Sequence, residues 1–138
     1  MLSHIVEFHR LNAIPRLVGR QPSAEERKRQ EELARSLRLE DDQGGRRWKR
    51  QSMVRAAELW TWKSCTSTLV LDVSAGGFRV TGEHDLAVNS FVDLLLTERD
   101  GATYRFPCRV VWTSPGRGEF GLVLDGLPGA VPSAVRAA

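Results

Sequence analysis

The sequence predicts a mainly β protein, in which about six short antiparallel strands form a sandwich or a small closed barrel after an N-terminal helical extension. The apolar spacing is helical near the N-terminus and becomes strand-like after the pair Gly44-Gly45. Beyond that break, short apolar runs alternate with turn sequences such as Asp100-Gly101 and Ser114-Pro115-Gly116. Closing the sheet would remove exposed strand edges.

The first predicted helix covers residues 2–13. Its apolar side chains recur at three-residue spacing, which indicates a weakly amphipathic helix that Pro15 would end. These side chains are Leu2, Ile5, Phe8 and Leu11.

A second helix is predicted after Pro22, because Ser23 and Glu26 have the spacing of a capping box. It runs through EERKRQEELARSLRL, with Leu33 and Leu37 four residues apart on a thin apolar face. We expect this face to pack lightly or against a partner, and the leucines of the extension permit a homodimer.

The clearest predicted strand is YRFPCRVVW, which alternates with a period of two. Its apolar face would comprise Tyr104, Phe106, Cys108, Val110 and Trp112. Five further strands are predicted at roughly residues 53–62, 68–73, 77–81, 90–97 and 118–125. Trp60 and Trp62 share one face of the first of these, so we expect them to pack in the core or beneath the helical extension.

The boundary between helices and strands lies at the acidic run Glu40-Asp41-Asp42 and the glycine pair that follows it. We expect an N-terminal helical extension over residues 1–43, a β domain over residues 44–130 and a C-terminal tail over residues 131–138. A chain of 138 residues can form one domain with a real core.

The composition is that of a folded globular protein, with 41% hydrophobic and 27% charged residues. No apolar run is long enough to cross a membrane and Glu7 interrupts the N-terminus before a signal-peptide core develops, so we expect a cytoplasmic protein without membrane insertion. Cys65 and Cys108 are far apart and lack metal-site spacing, which predicts reduced thiols, with Cys108 buried.

Catalytic patterns are absent from the sequence. The three histidines are scattered, there is no HExxH or CxxC motif, and no phosphate-binding glycine loop precedes a helix. The segment DVSAGG differs from a nucleophile elbow, because GxSxG requires glycine at the position of Asp72. We therefore predict a protein that is not an enzyme and carries no metal or cofactor.

Polar residues end the strand-like run LVLDVSAGGF, where Asp72 and Ser74 precede Gly76 and Gly77. A carboxylate can accept two hydrogen bonds side by side, which suits the N1–H and N2–H edge of guanine, and a serine two residues on lies in the same turn. Alternatively, Asp72 and Ser74 bond their own backbone in a tight turn, with glycine admitting positive φ.

A basic run precedes the first strand. The net charge of +3 comes entirely from residues 44–138, and RRWKR alone supplies four positive charges through Arg46, Arg47, Lys49 and Arg50. Guanidinium groups match phosphate and the O6/N7 edge of guanine, and they stack on purines. Such a run can equally be a solvated loop, with Trp48 anchoring it to the barrel.

The combination of the two stretches resembles the PilZ domain family, whose signature is R-x-x-x-R followed by [D/N]-x-S-x-x-G. Arg46 and Arg50 match the first motif, and Asp72, Ser74 and Gly77 match the second. Gly76 makes the frequent double glycine, and GEFGLVLDGL resembles the family's last strand. The resemblance covers roughly residues 44–127 and implies a six-stranded antiparallel PilZ-type β-barrel.

The resemblance also implies a receptor for the bacterial second messenger cyclic di-GMP that signals to an unidentified downstream protein. Arg46 and Arg50 would clamp the ligand, and Asp72 and Ser74 would read a guanine. Gly77, next to Gly76 in the site, would let the ligand and the backbone approach closely. Gly45 replaces the arginine that family members binding two ligands often carry, which favours one ligand per chain unless Arg47 or an N-terminal arginine such as Arg35 or Arg38 supplies the stacking group. Closure of residues 44–50 would reposition the helices.

Two other functions remain compatible with the sequence. The chain could be a PilZ-type adaptor that binds a protein partner independently of nucleotides. It could also be a small nucleic-acid-binding barrel that uses RRWKR with Trp60 and Trp62, although the localised charge favours a small anionic ligand.

Overall fold

The computed structural model describes residues 2–37, 50–82 and 86–132. Its helices are α1 (Leu2–Asn12), α2 (Ile14–Val18) and α3 (Ala24–Leu37). Its strands are β1 (Gln51–Trp60), β2 (Cys65–Val73), β3 (Gly77–Thr81), β4 (Phe91–Thr97), β5 (Thr103–Ser114), β6 (Glu119–Leu124) and β7 (Gly129–Val131).

The first six strands form a closed antiparallel barrel. Neighbouring strands follow the order β4-β1-β2-β3-β6-β5, and a further pairing of β4 with β5 closes the ring. Strand β7 adds to β5 outside that ring. The predicted mainly β, six-stranded barrel is therefore confirmed, and β7 is an addition that the sequence patterns did not indicate.

One hydrophobic core joins the helices to the barrel. Fully buried barrel residues such as Phe106 and Leu94 belong to the same cluster as Leu2 and Ile5 of α1 and Leu33 of α3. The thin apolar face of α3 is thus covered within the chain itself. Burying such side chains stabilises the fold by roughly 1.5–3 kcal/mol each.

Helices α1 and α3 have the predicted positions, and their ends follow local rules. Ser23 and Glu26 form the expected capping box, with the Glu26 amide donating to the Ser23 hydroxyl and the Ser23 amide to the Glu26 carboxylate. The Arg20 guanidinium and these bonds lower the pKa of Glu26 to about 2. Helix α1 ends at Asn12, before Pro15 as expected, and Pro15 lies in the first turn of the short helix α2, where a missing N–H costs nothing.

Two expectations about tryptophans are wrong. Trp60 is half exposed and Trp62 is 89% exposed, because β1 ends at Trp60 and a turn follows in which the Thr61 amide bonds the Ser64 carbonyl. Trp112 is 40% exposed rather than continuing the buried face of β5, which contains Phe106, Cys108 and Val110. A change of register in β5 causes this second difference.

Candidate ligand-binding site

The second predicted motif lies at the hairpin between β2 and β3, and the arginine that ends the first motif lies immediately before β1. Five of the predicted site residues line one surface cleft: Arg50, Asp72, Ser74, Gly76 and Gly77. Arg46 and Arg47, with Trp48, lie outside the residues that the structure describes. The structure thus brings together the described members of both motifs.

A β-bulge places Asp72 on the outer face of the barrel. Val70 pairs with Val80 across β2 and β3, and both are buried. Regular pairing would next set Asp72 opposite the buried Phe78, but one extra residue in β2 sets it opposite Arg79 instead. Because residues directly opposite share a face of the sheet, Asp72 points outward with Arg79.

A second bulge does the same for Trp112. Val110 pairs with Leu122 inside the barrel, and the extra residue in β5 then sets Trp112 opposite Gly121. The indole lies directly on the α-carbon of Gly121, where a Cβ would overlap the ring. Glycine therefore makes room for the indole on the outer face, beside the cleft that Trp112 helps to line.

The two bulges align a row of outward residues across four strands. Asp72 of β2 is opposite Arg79 of β3, Arg79 is opposite Gly121 of β6, and Gly121 is opposite Trp112 of β5. The row presents a carboxylate, a guanidinium and an indole along the cleft. These are the groups that recognise a base edge, an anion and an aromatic face, respectively.

Asp72 has a partner that neither sequence interpretation included. The Arg79 Nε donates to Asp72 Oδ2 at 2.7 Å, and Arg79 Nη1 donates to Glu119 Oε1 at 2.8 Å. The Asp72 hydrogen bond is the main reason that the pKa of Arg79 lies above its ordinary value. Asp72 and Glu119 are largely covered, with side chains 13% exposed, whereas Arg79 remains 37% exposed towards the cleft.

Ser74 follows the turn interpretation. Its amide donates to the Gly77 carbonyl at 2.9 Å, and its hydroxyl accepts from the Gly76 amide at 3.2 Å. These bonds close the Ala75-Gly76 hairpin and hold the hydroxyl at the rim of the cleft. The hydroxyl also donates to the Gly77 carbonyl at 3.4 Å, so its single O–H is engaged, and one acceptor lone pair remains for a donor group of a ligand.

Gly77 is required by packing. Its φ does not lie in the positive region, but a Cβ at this position would overlap the carbonyl oxygen of Leu122 on β6. The close approach that glycine permits here is therefore between strands β3 and β6, which pair at Gly77 and Val123. The strands that form the cleft therefore need glycine at this position in order to pack together.

Helix α1 contacts the same hairpin from behind. His9 Nε2 lies 2.6 Å from the carbonyl oxygen of Ala75, the residue directly after Ser74. A carbonyl only accepts, so Nε2 carries the proton. Burial lowers the pKa of His9, against an opposing contribution from this bond, which keeps the imidazole neutral near pH 7.

Arg79 and Trp112 are the cleft residues that sequence reasoning missed. Alternation along FRV does place Arg79 on the outer face of β3, but its pairing with Asp72 depends on the bulge in β2. The outward direction of Trp112 depends on the bulge in β5. The glycine opposite Trp112 was the one available signal, because glycine inside a strand often marks a bulge or a close approach.

Three comparisons with known proteins bear on the family of this chain. A family model described as "PilZ domain" matches residues 26–137. The chain belongs to the PilZ domain family. A solved structure, "Crystal structure of PilZ domain of CeSA from cellulose synthesizing bacterium", aligns at 17% identity and a TM-score of 0.49, covering 56% of this chain and 81% of that one. A search of curated proteins gave no match.

Other features of this PilZ chain are structural. Cys108 is buried as expected, and burial raises the pKa of its thiol, whereas Cys65 is exposed. Within residues 2–37, 50–82 and 86–132, acidic, histidine and cysteine side chains form no cluster suited to a metal ion. No helix in the same described ranges has the length and apolar character needed to span a membrane.

Proposed function

We propose that this PilZ domain is a non-enzymatic receptor for cyclic di-GMP that passes the binding event to a protein partner. PilZ domains are generally receptors for this nucleotide. The observation that carries the proposal is the meeting of Arg50, Asp72, Ser74, Gly76 and Gly77 in one cleft, although Arg50 precedes β1 and Asp72 lies on β2.

Each group in the cleft has a chemical task in this proposal. Arg50, with Arg46 and Arg47 from the preceding segment, binds phosphate oxygens and the O6/N7 edge of guanine. Asp72 accepts the N1–H and N2–H of a guanine, and Ser74 bonds the same ligand from the hairpin. The exposed indole of Trp112 offers a stacking surface for a base.

The contact between His9 and Ala75 supplies a route from the ligand to the helices. Ala75 is the central residue of the hairpin, is 1% exposed, and belongs to the core cluster that includes α1. A ligand that bonds Ser74 changes the hydrogen bonding of this hairpin, and α1 is attached to its other side. This route joins the one expected through residues 44–50, which lies largely outside the described residues.

Calorimetric titration tests the proposal directly. Cyclic di-GMP is titrated into the wild type and into Arg50→Ala, with cyclic di-AMP as the control ligand. We expect saturable binding selective for guanine, with the stoichiometry given by the midpoint, and at least a tenfold weaker Kd in Arg50→Ala, since a charge-assisted contact contributes roughly 1.5–3 kcal/mol. Arg117→Ala is a matched control, because Arg117 lies outside the cleft.

The ion pair between Arg79 and Asp72 also favours a second function, the nucleotide-independent adaptor, because such a pair can stabilise the barrel surface without any ligand. Absence of binding heat with a folded protein would contradict the receptor proposal and support the adaptor. Binding of many single-stranded oligonucleotides, with affinity falling steeply as salt rises, would instead support a nucleic-acid-binding barrel. A homodimer stays a prediction that light scattering can test.

A further inference from the structure

We infer that Arg79 is a positioning residue that fixes the Asp72 carboxylate for guanine and thereby sets base selectivity. The inference rests on the proposed function and goes beyond the signature motifs, which do not include Arg79. Its basis is the pair of hydrogen bonds from one guanidinium to two carboxylates on different strands, Asp72 on β2 and Glu119 on β6.

Among the residues that the structure describes, Arg79 holds Asp72 from one side. A carboxylate has about four lone-pair directions on its two oxygens, and Arg79 Nε uses one of those on Oδ2. Two parallel directions therefore remain for the N1–H and N2–H of a guanine. A carboxylate free to rotate would lose part of that alignment, and the hydrogen bond from Arg79 Nε to Oδ2 restrains that rotation.

Glu119 in turn fixes Arg79. Its side chain is 13% exposed and accepts from Nη1 at 2.8 Å, while it does not line the cleft. Arg79 is thus held at two of its nitrogens by two strands. Charge balance supports the same role, because the single cation of Arg79 lies between two carboxylates that are mostly removed from water.

Arg79 also separates Asp72 from Trp112 in the outward row. Arg79 is opposite Asp72 on one side and Gly121 on the other. The indole of Trp112 packs against Gly121. Holding the guanidinium in place therefore sets the spacing between the carboxylate that reads a base edge and the ring that stacks on a base face. Both features would contribute to selectivity for guanine.

The test measures selectivity rather than affinity alone. We titrate two ligands, cyclic di-GMP and cyclic di-IMP, into the wild type, Arg79→Met and Glu119→Gln. Cyclic di-IMP lacks the 2-amino group from which Asp72 would accept a hydrogen bond. In the wild type we expect cyclic di-IMP to bind roughly ten- to a hundredfold more weakly, the effect of one hydrogen bond to a charged group. Cyclic di-IMP lacks the 2-amino group on both bases, but the effect of the second base is common to all the protein variants, so a change in this ratio between variants reports the Asp72 contact.

In Arg79→Met we expect the ratio to fall to about threefold or less, and in Glu119→Gln to an intermediate value. Arg79→Lys, which keeps the charge but not the fork, should recover the ratio only in part. Circular dichroism and urea unfolding check that each variant folds. Glu119→Gln, an isosteric change outside the cleft, keeps the test decisive if Arg79→Met does not fold.

Three results would overturn the inference. One is a wild-type selectivity ratio retained in Arg79→Met and Glu119→Gln while both ligands weaken equally, which would make Arg79 a structural or phosphate contact. Another is tighter and more selective binding in Arg79→Met, which would make Arg79 a competitor for Asp72. Absence of cyclic di-GMP binding to the wild type would remove the proposed function itself, and so is distinguishable from the first two.

Discussion

Gly77 lies so close to the carbonyl oxygen of Leu122 that no other amino acid fits at this position without moving a strand. This contact joins β3 to β6 directly beneath the cleft. The last residue of the [D/N]-x-S-x-x-G signature therefore has a structural task in this chain whatever it contributes to the ligand. Loss of binding on mutating Gly77 would not by itself identify a ligand contact.

Gly77→Ala should destabilise the protein, by about 1–3 kcal/mol or more, because the added methyl overlaps a backbone atom that cannot move freely. Urea unfolding followed by tryptophan fluorescence measures this. Gly116→Ala is the matched control, since a Cβ at Gly116 meets nothing within 4 Å and its φ is ordinary. Equal stability of the two variants would contradict the packing interpretation.

Trp112→Ala should weaken cyclic di-GMP binding by roughly 1–3 kcal/mol, the usual contribution of one base stacked on an aromatic ring. Its effect on stability should be smaller than that of a buried aromatic, because the indole is 40% exposed. Calorimetric titration measures the Kd. Trp62→Ala is the control, as Trp62 is 89% exposed and lies outside the cleft, so a similar loss in both variants would argue against stacking on Trp112.

The six barrel strands could be predicted because their local signals agree with the fold. Alternation in β5 and the turn at Asp100-Gly101 are sequence-local, and so is the capping box at Ser23 and Glu26. The helical extension also had a readable period. The sequence could not predict that the helices pack against the barrel, because the barrel surface is formed by strands distant in sequence.

The outward row at the site could not be predicted, because each bulge inserts one residue and reverses the faces of all that follow. Period-two reasoning put Trp112 inside, whereas the bulge after Val110 puts it outside. The same effect gave Asp72 a partner, Arg79, that no spacing rule connects to it. The family signature identified Arg50, Asp72 and Ser74 because it depends on residue types and their spacing in the sequence, and not on how the strands pair.

The stability of the protein should fall between about pH 7.5 and 5.5 in part through His9. Burial lowers the folded-state pKa of His9 below its ordinary value of about 6.5, so the unfolded chain binds a proton first as the pH falls. The stability that neutral His9 contributes is therefore present above about pH 6.5 and is lost as the pH falls through the folded-state value.

Urea unfolding at the two pH values measures this for the wild type and for His9→Phe, which keeps an aromatic ring but cannot titrate. Arg16 lines a second pocket together with His9 and is present in both proteins, so it does not cause a difference between them. His4→Phe is the control, since His4 is exposed on the same helix. A pH dependence unchanged in His9→Phe would contradict the assignment.

Ligand binding should change amide hydrogen exchange in α1 if the hairpin passes the event on through Ala75. We expect saturating cyclic di-GMP to alter exchange across Leu2–Asn12 in the wild type, because α1 is bonded to the hairpin at His9. In His9→Phe the ligand should still bind but the change in α1 should be much reduced, whereas His4→Phe should behave as the wild type.

Exchange in α1 that is insensitive to ligand in the wild type, with binding intact, would show that the signal does not leave the barrel by this contact. A change that persists in His9→Phe would place the route in the apolar packing of Ala75 against the core shared with α1, since that packing survives loss of the donor.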